Sequence, residues 1–138
     1  MCNEKESADS QADRDGVTEG SIRKLVDAFY SKVRADEELG PIFHQSIGTD
    51  DRSWEKHLRL LYDFWSSIML TTGRYHGNPH RAHRELPPFD PRLFDRWLEL
   101  FAETAHEVHG DRIAQKYVDR SHRIAQSLIL SMQDRGNR

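Results

Sequence analysis

Residues 49–73 read TDDRSWEKHLRLLYDFWSSIMLTTG, and the placing of their apolar side chains decides the fold class. Trp54, His57, Leu58, Leu61, Phe64, Trp65 and Ile68 recur at three- and four-residue intervals, the spacing that lines one face of a helix. Thr49 or Asp50 can cap the start, and Thr72-Gly73 can end it. One imidazole, His57, therefore sits inside an otherwise apolar stripe. Taken alone, such a histidine is most often a core residue whose ring nitrogens are satisfied by neighbours.

Upstream of this stretch, Thr18 is a suitable N-cap, and Ile22, Leu25, Val26, Phe29, Tyr30 and Val33 repeat the same helical spacing. Leu39-Gly40-Pro41 is expected to break that helix and to leave Ile42 and Phe43 in a corner. Downstream, Asn78-Pro79 can cap and start a helix of one or two turns that carries His83 and stops before Pro87-Pro88. Asp90-Pro91 opens a third long helix, with Phe94, Trp97, Leu98, Phe101, Ala105 and Val108 on its inner face and Gly110 at its end. Ile113, Tyr117, Val118, Ser121, Ile124, Ala125, Leu128, Ile129 and Met132 line the last helix. No strand pattern, repeat or glycine-rich phosphate loop interrupts this order.

Residues 1–17 are rich in Ser, Asp, Glu and Gln and nearly free of apolar side chains, so they cannot offset the entropy of ordering. The expected organisation is an acidic disordered tail over 1–17 and one all-α domain over 18–134. A formal net charge of -3, with basic residues scattered among acids, argues against nucleic-acid binding. The single cysteine, Cys2, excludes an intrachain disulfide and suits a reducing, cytoplasmic setting. No secretory signal or membrane-spanning run is evident, so no membrane association is expected.

A plain helical bundle does not require flat aromatic rings beside isolated histidines. Phe43, Phe64, Trp65, Phe89, Phe94 and Trp97 can line a slot for a planar apolar ligand, with His57 and His83 on its two sides. Haem has that shape and needs an imidazole for its iron. Tyr30 adds a hydroxyl where the stripe would suit Phe or Leu, and a buried phenol needs a partner.

At the level of motifs the chain resembles the truncated haemoglobins, specifically their third group, from about Ile22 to Met132. The resemblance is carried by Phe29-Tyr30, Leu39-Gly40-Pro41-Ile42-Phe43, Trp54-Glu55-Lys56-His57, Phe64-Trp65, Tyr75 with Gly77 and Pro79, His83, and Phe94 with Trp97. Single glycines at Gly40 and Gly73, where other groups carry pairs, fit the third group. The resemblance implies a shortened globin in which two antiparallel helix pairs sandwich haem b. It implies that His83 is the iron ligand; on spacing alone, a helical histidine followed by Arg84-Glu85 would read as a surface residue. It further implies that Tyr30 and Trp97 donate to a bound diatomic gas such as oxygen or nitric oxide at a penta-coordinate iron. His57 is expected to touch that ligand, to gate access, or to bind iron when no gas is present. Phe43, Leu61, Phe64, Trp65, Phe94 and Trp97 are expected to enclose the porphyrin.

Two other activities remain open at this level. Donors that polarise a bound ligand also suit a nitric oxide dioxygenase or a peroxidase, and either turnover requires a separate reductase because the chain has no flavin or nicotinamide domain. Alternatively, His76, His80 and His83 have spacings that could hold zinc or another bare metal, although Gly77 and Pro79 interrupt their helix.

Overall fold

The computed structural model describes residues 16–84 and 89–136, with side chains as far as Met132. Apart from Gly16 and Val17, the expected acidic tail lies outside the described residues, as do Pro87 and Pro88. Helices α1 (Glu19–Ala35), α2 (Leu39–Ile47), α3 (Asp51–Leu70), α4 (Pro79–Arg84), α5 (Arg92–Val108) and α6 (Asp111–Gly136) follow in order, and no strand occurs among the described residues.

Thr18 starts α1 through a capping box: its Oγ1 accepts the Ser21 N–H at 2.9 Å, and Ser21 Oγ accepts the Thr18 N–H at 2.9 Å. Val17, assigned to the tail by its neighbours' composition, is buried at 3% exposure in the same core cluster as Ile22. These two residues flank the cap in the positions of a hydrophobic staple, so Val17 packs with the helical core rather than with the polar residues before it.

The break after α1 also falls elsewhere than the sequence suggests. It comes at Asp36, and Leu39-Gly40-Pro41 opens α2, so Ile42 and Phe43 are helical rather than in a corner. Pro41 sits in the first turn, where backbone N–H groups have no intrahelical acceptor and its missing donor costs nothing. Asp36 supplies the cap, its Oδ2 accepting from Glu38 N–H at 3.1 Å and Leu39 N–H at 3.0 Å. Its other oxygen accepts from Arg96 on α5 at 2.6 Å, tying this connection to the bundle. Gly40 allows α2 to pack closely against the end of α1, since a Cβ there would lie 2.9 Å from the Arg34 carbonyl oxygen.

Two antiparallel pairs emerge from the contacts. Glu19 at the start of α1 pairs with Arg74 just beyond α3, and Tyr30 late in α1 meets Trp54 early in α3. Phe94 at the start of α5 packs with Ala125 and Leu128 far along α6. Phe29 on α1 and Trp65 on α3 then meet Phe101 on α5, which joins the pairs face to face. Among the described residues, no helix is long and apolar enough to cross a membrane.

Candidate functional site

Buried apolar side chains form two clusters rather than one. The larger joins α1, α2, α3, α5 and α6; the smaller contains Phe94, Ala125 and Leu128, with Phe89, Leu98, Ile129 and Met132 against it. The two meet at Ile124, which packs against both. Phe43, Leu61, Phe64, Trp97 and Leu98 stay only half-buried, an unusual expense for large apolar groups in a finished core.

The segment before α4 is tied down at several points. Arg74 pairs with Glu19 at 2.7 Å and Asp63 at 3.3 Å, and the Tyr75 N–H donates to Ser67 Oγ at 3.0 Å. The Tyr75 ring stands edge-on to Phe64 at 5.1 Å and folds over Gly77, where a Cβ would fall 2.6 Å from Tyr75 Cζ. Asn78 then caps α4 by accepting the Arg81 N–H at 3.1 Å, with Pro79 in the first helical position.

From this anchored turn, His83 Nδ1 lies 2.7 Å from the Pro79 carbonyl oxygen. A carbonyl only accepts, so Nδ1 carries the hydrogen and Nε2 keeps its lone pair. Burial pushes the imidazole pKa below its usual value, outweighing the Pro79 carbonyl, which favours protonation; the neutral ring is therefore the stable one. That is the protonation state a metal-ligating histidine needs, with its second nitrogen oriented by a backbone acceptor. Phe94 lies beside the ring, centre to centre 6.3 Å.

In the larger cluster Tyr30 is buried at 5% exposure, and burial raises its pKa well above the ordinary phenol range. The indole of Trp97, a group that can only donate, pulls the pKa the other way but less strongly. Trp has no acceptor, so the Tyr30 hydrogen is not used in this contact. No described residue accepts it. His57 stands edge-on to Tyr30 at 6.0 Å and to Trp54 at 5.7 Å, and burial lowers its pKa. Phe43 completes the group, 5.8 Å from Tyr30.

Tyr30, His57, Trp97 and Phe43 are thus brought together, while His83 and Phe94 belong to a separate group. Trp65 stands apart from the half-buried residues: it is 3% exposed and stacked on Phe101. Trp54, outside the expected site residues, is the neighbour that sequence reasoning missed. Its place on the His57 stripe was the available signal. Its Nε1–H donates to Gly48 at 2.9 Å and its ring lies under Arg34. A cleft of about 530 Å³ reaches Tyr30 from the outer surface between Asp27, Arg34, His44, Trp54 and Leu58.

The histidine trio is not brought together. His80 Nε2 lies 2.7 Å from Ser127 Oγ on α6, His83 bonds Pro79, and His76 precedes α4. Among the described residues, no three His, Cys, Asp or Glu side chains are grouped to hold a metal ion.

A family model described as bacterial-like globin matches residues 13–129. The group 3 truncated hemoglobin ctb of Campylobacter jejuni is 39% identical over 109 residues, spanning 79% of this chain and 86% of that protein. The crystal structure of group III truncated hemoglobin from the same organism is similar with a TM-score of 0.79 and 38% identity, covering 81% of this chain and 88% of that one.

Proposed function

The chain belongs to the bacterial-like globins and is a haem-binding group 3 truncated haemoglobin; from that premise we propose that His83 Nε2 ligates the iron of a haem b, and that oxygen or a related diatomic gas binds beneath Tyr30. The observation that carries this reading is the 2.7 Å contact of His83 Nδ1 with Pro79, which leaves Nε2 as a free, oriented lone pair on a half-buried neutral ring.

When bound, haem supplies an iron that takes a diatomic ligand and shifts electron density onto it. Phe43, Leu61, Phe64, Trp97 and Leu98 supply apolar cover for the porphyrin, and Phe94 supports the His83 ring. Trp65 acts from behind them. Trp97 holds the Tyr30 oxygen by donating to it, and the Tyr30 hydrogen is left to donate to the ligand. In a site that excludes water such a bond to a partly charged acceptor is worth about 1.5–3 kcal/mol, so slow ligand release is expected. His57, kept neutral by burial, closes the outer side of Tyr30. A reducing, cytoplasmic setting agrees with the lone Cys2.

Reduction of a hydroperoxide, fed by a separate reductase, is the second reading. Dioxygenation of nitric oxide, likewise fed by a reductase, draws on the same polarising donors.

Visible spectra of the protein expressed with haem available, in ferric, dithionite-reduced and oxygenated forms, test the proposal. A strong Soret band and a stable oxygenated species are expected. A colourless protein that does not take up added haem would overturn it.

A further inference from the structure

Arg112, Lys116, Arg120, Arg123, Ser127 and Leu130 of α6 recur three or four residues apart and so share one face of the helix. That face is the outer one, because Ala114, Tyr117, Val118, Ser121, Ala125 and Leu128 bury the opposite side. Arg112, Arg120 and Arg123 are exposed, and none of them forms an ion pair with a described residue. The acids within 111–132 are Asp111 and Asp119, the latter at the edge of the row, and each is engaged at 2.9 Å, by His106 and by Gln115. Sequence order mixes the charges, but the turn of the helix sorts the cations into a row about 17 Å long from Arg112 to Arg123.

At its far end the row meets the helix that carries the proposed iron ligand. His80 Nε2 lies 2.7 Å from Ser127 Oγ, and Arg84 donates to Ser131 Oγ at 2.8 Å, so α4 is seated beside the row. Serine carries no charge to offset that of Arg84. Leu130 lies two turns past Arg123 on the same face and is 63% exposed, against 6% for Leu128. A lone exposed leucine is ordinary. One rimmed by arginines has the anatomy of a protein interface, where Arg is enriched and Asp and Glu are depleted around an apolar centre. A second copy of the chain is a poor occupant, since the acids of its α5 are already engaged: Glu103 and Glu107 by Lys32, and Glu99 by Arg96.

We propose that this α4–α6 face docks an acidic redox protein that supplies single electrons to the site behind α4. The use of the electron rests on the haem-globin reading. One electron leaves the reduced flavin or iron–sulfur cluster of the partner and takes ferric iron to ferrous; no covalent bond changes and no proton moves. His83 directly precedes Arg84, so a donor seated on Arg84 is separated from the proposed iron ligand by one short helix. With a net charge of -3 the chain repels an acidic partner as a whole, whereas the row attracts it locally, and the two together orient the encounter. A single row with one leucine offers neither a groove for nucleic acid nor a broad apolar face for a bilayer.

The test titrates haem-loaded protein, its loading fixed by the Soret band, with two acidic probes at low salt, a flavodoxin and a plant-type ferredoxin, while backbone amide NMR shifts are followed. Saturable shifts on α4 and the outer face of α6, weakened by salt, are expected. In a variant carrying Arg120→Glu and Arg123→Glu, binding of either probe and stopped-flow reduction of the ferric protein by reduced flavodoxin should fall about 10-fold or more, with helicity and haem content kept. Arg52→Glu with Arg59→Glu on α3 makes the same change in net charge and should leave both nearly as in the wild type. No saturable binding of either probe, shifts that map away from α4 and α6, or equal losses in the two variants would overturn the docking face. Tighter binding of phosphatidylglycerol vesicles or a double-stranded oligonucleotide than of either probe, or a dimer in sedimentation that Arg123→Glu dissolves, would overturn it in favour of that occupant. Docking that leaves the protein ferric would overturn the electron-donor role. Absence of the Soret band with intact probe binding would instead overturn the haem reading and leave the docking face standing.

Discussion

The indole of Trp97 on α5 reaches the buried phenol of Tyr30 on α1 and holds back part of the pKa rise that burial causes. Donor meets acceptor in one sense only, because indole cannot accept. In such a contact Tyr30 is the acceptor, and its own hydrogen has no partner among the described residues. We propose that the pair presents a single outgoing donor, the Tyr30 O–H.

Replacing Tyr30 with Phe removes that donor. Loss of about 1.5–3 kcal/mol should speed oxygen dissociation roughly 10- to 100-fold, read by stopped-flow displacement. Trp97→Phe should act in the same direction through loss of orientation, and the double variant should fall short of the sum of the two effects. A wild-type rate in the double variant would contradict the distal assignment.

Gly40 is where α2 approaches the end of α1. Alanine there gains about 1 kcal/mol of helix propensity but brings a Cβ to 2.9 Å from a backbone oxygen that cannot swing aside. The clash should win, and Gly40→Ala should lower stability by about 1–3 kcal/mol in urea unfolding. A stabilised variant would show that α2 is free to shift.

Much of this architecture is legible in the sequence because it depends on local rules. Thr18 as cap, Pro79 in a first turn and the stripes from Ile22 to Val33 and from Trp54 to Ile68 need only spacing and backbone chemistry. Leu39-Gly40-Pro41 misleads because proline reads as a stop, whereas the same ring is tolerated in the first turn of the next helix. Val17 misleads because its neighbours are polar and its own burial comes from a tertiary contact. For the site, periodicity places Tyr30 and Trp97 on inner faces but cannot say that they meet. His83 is weaker still: spacing alone reads it as a surface residue, and its hydrogen bond to Pro79 appears only in three dimensions.

Asp36 links the α1–α2 connection to Arg96, and the guanidinium, followed by the backbone N–H groups of Leu39 and Glu38, holds its carboxyl below the usual pKa. A depressed carboxyl pKa means that the unfolded chain takes up the proton first as acid is added. The Asp36 contribution is therefore complete above the unfolded value, 3.8, and is lost as pH falls through the folded one. Asp36→Asn should cost about 1–2 kcal/mol at neutral pH, since Arg96 is partly exposed and screened, and should flatten the acid limb of the stability profile. An unchanged limb would remove Asp36 from the acid response.

Gly77 gives Tyr75 the space to fold back toward Phe64. Gly77→Ala should displace the phenol ring, cost about 1 kcal/mol through the lost edge-to-face contact, and loosen the turn that presents α4. Faster transfer of haem to an apoglobin acceptor is the expected readout. Transfer at the wild-type rate would mean that α4 is held without Tyr75.

The central claim, ligation through His83, is tested most directly by comparing the ferrous spectra of wild type and His83→Ala, each titrated with haem and then given imidazole. The account predicts a tight stoichiometric complex in the wild type, a weak one with an altered ferrous spectrum in the variant, and recovery of the wild-type spectrum when imidazole fills the space. A variant with normal haem content and an unaltered ferrous spectrum would contradict it.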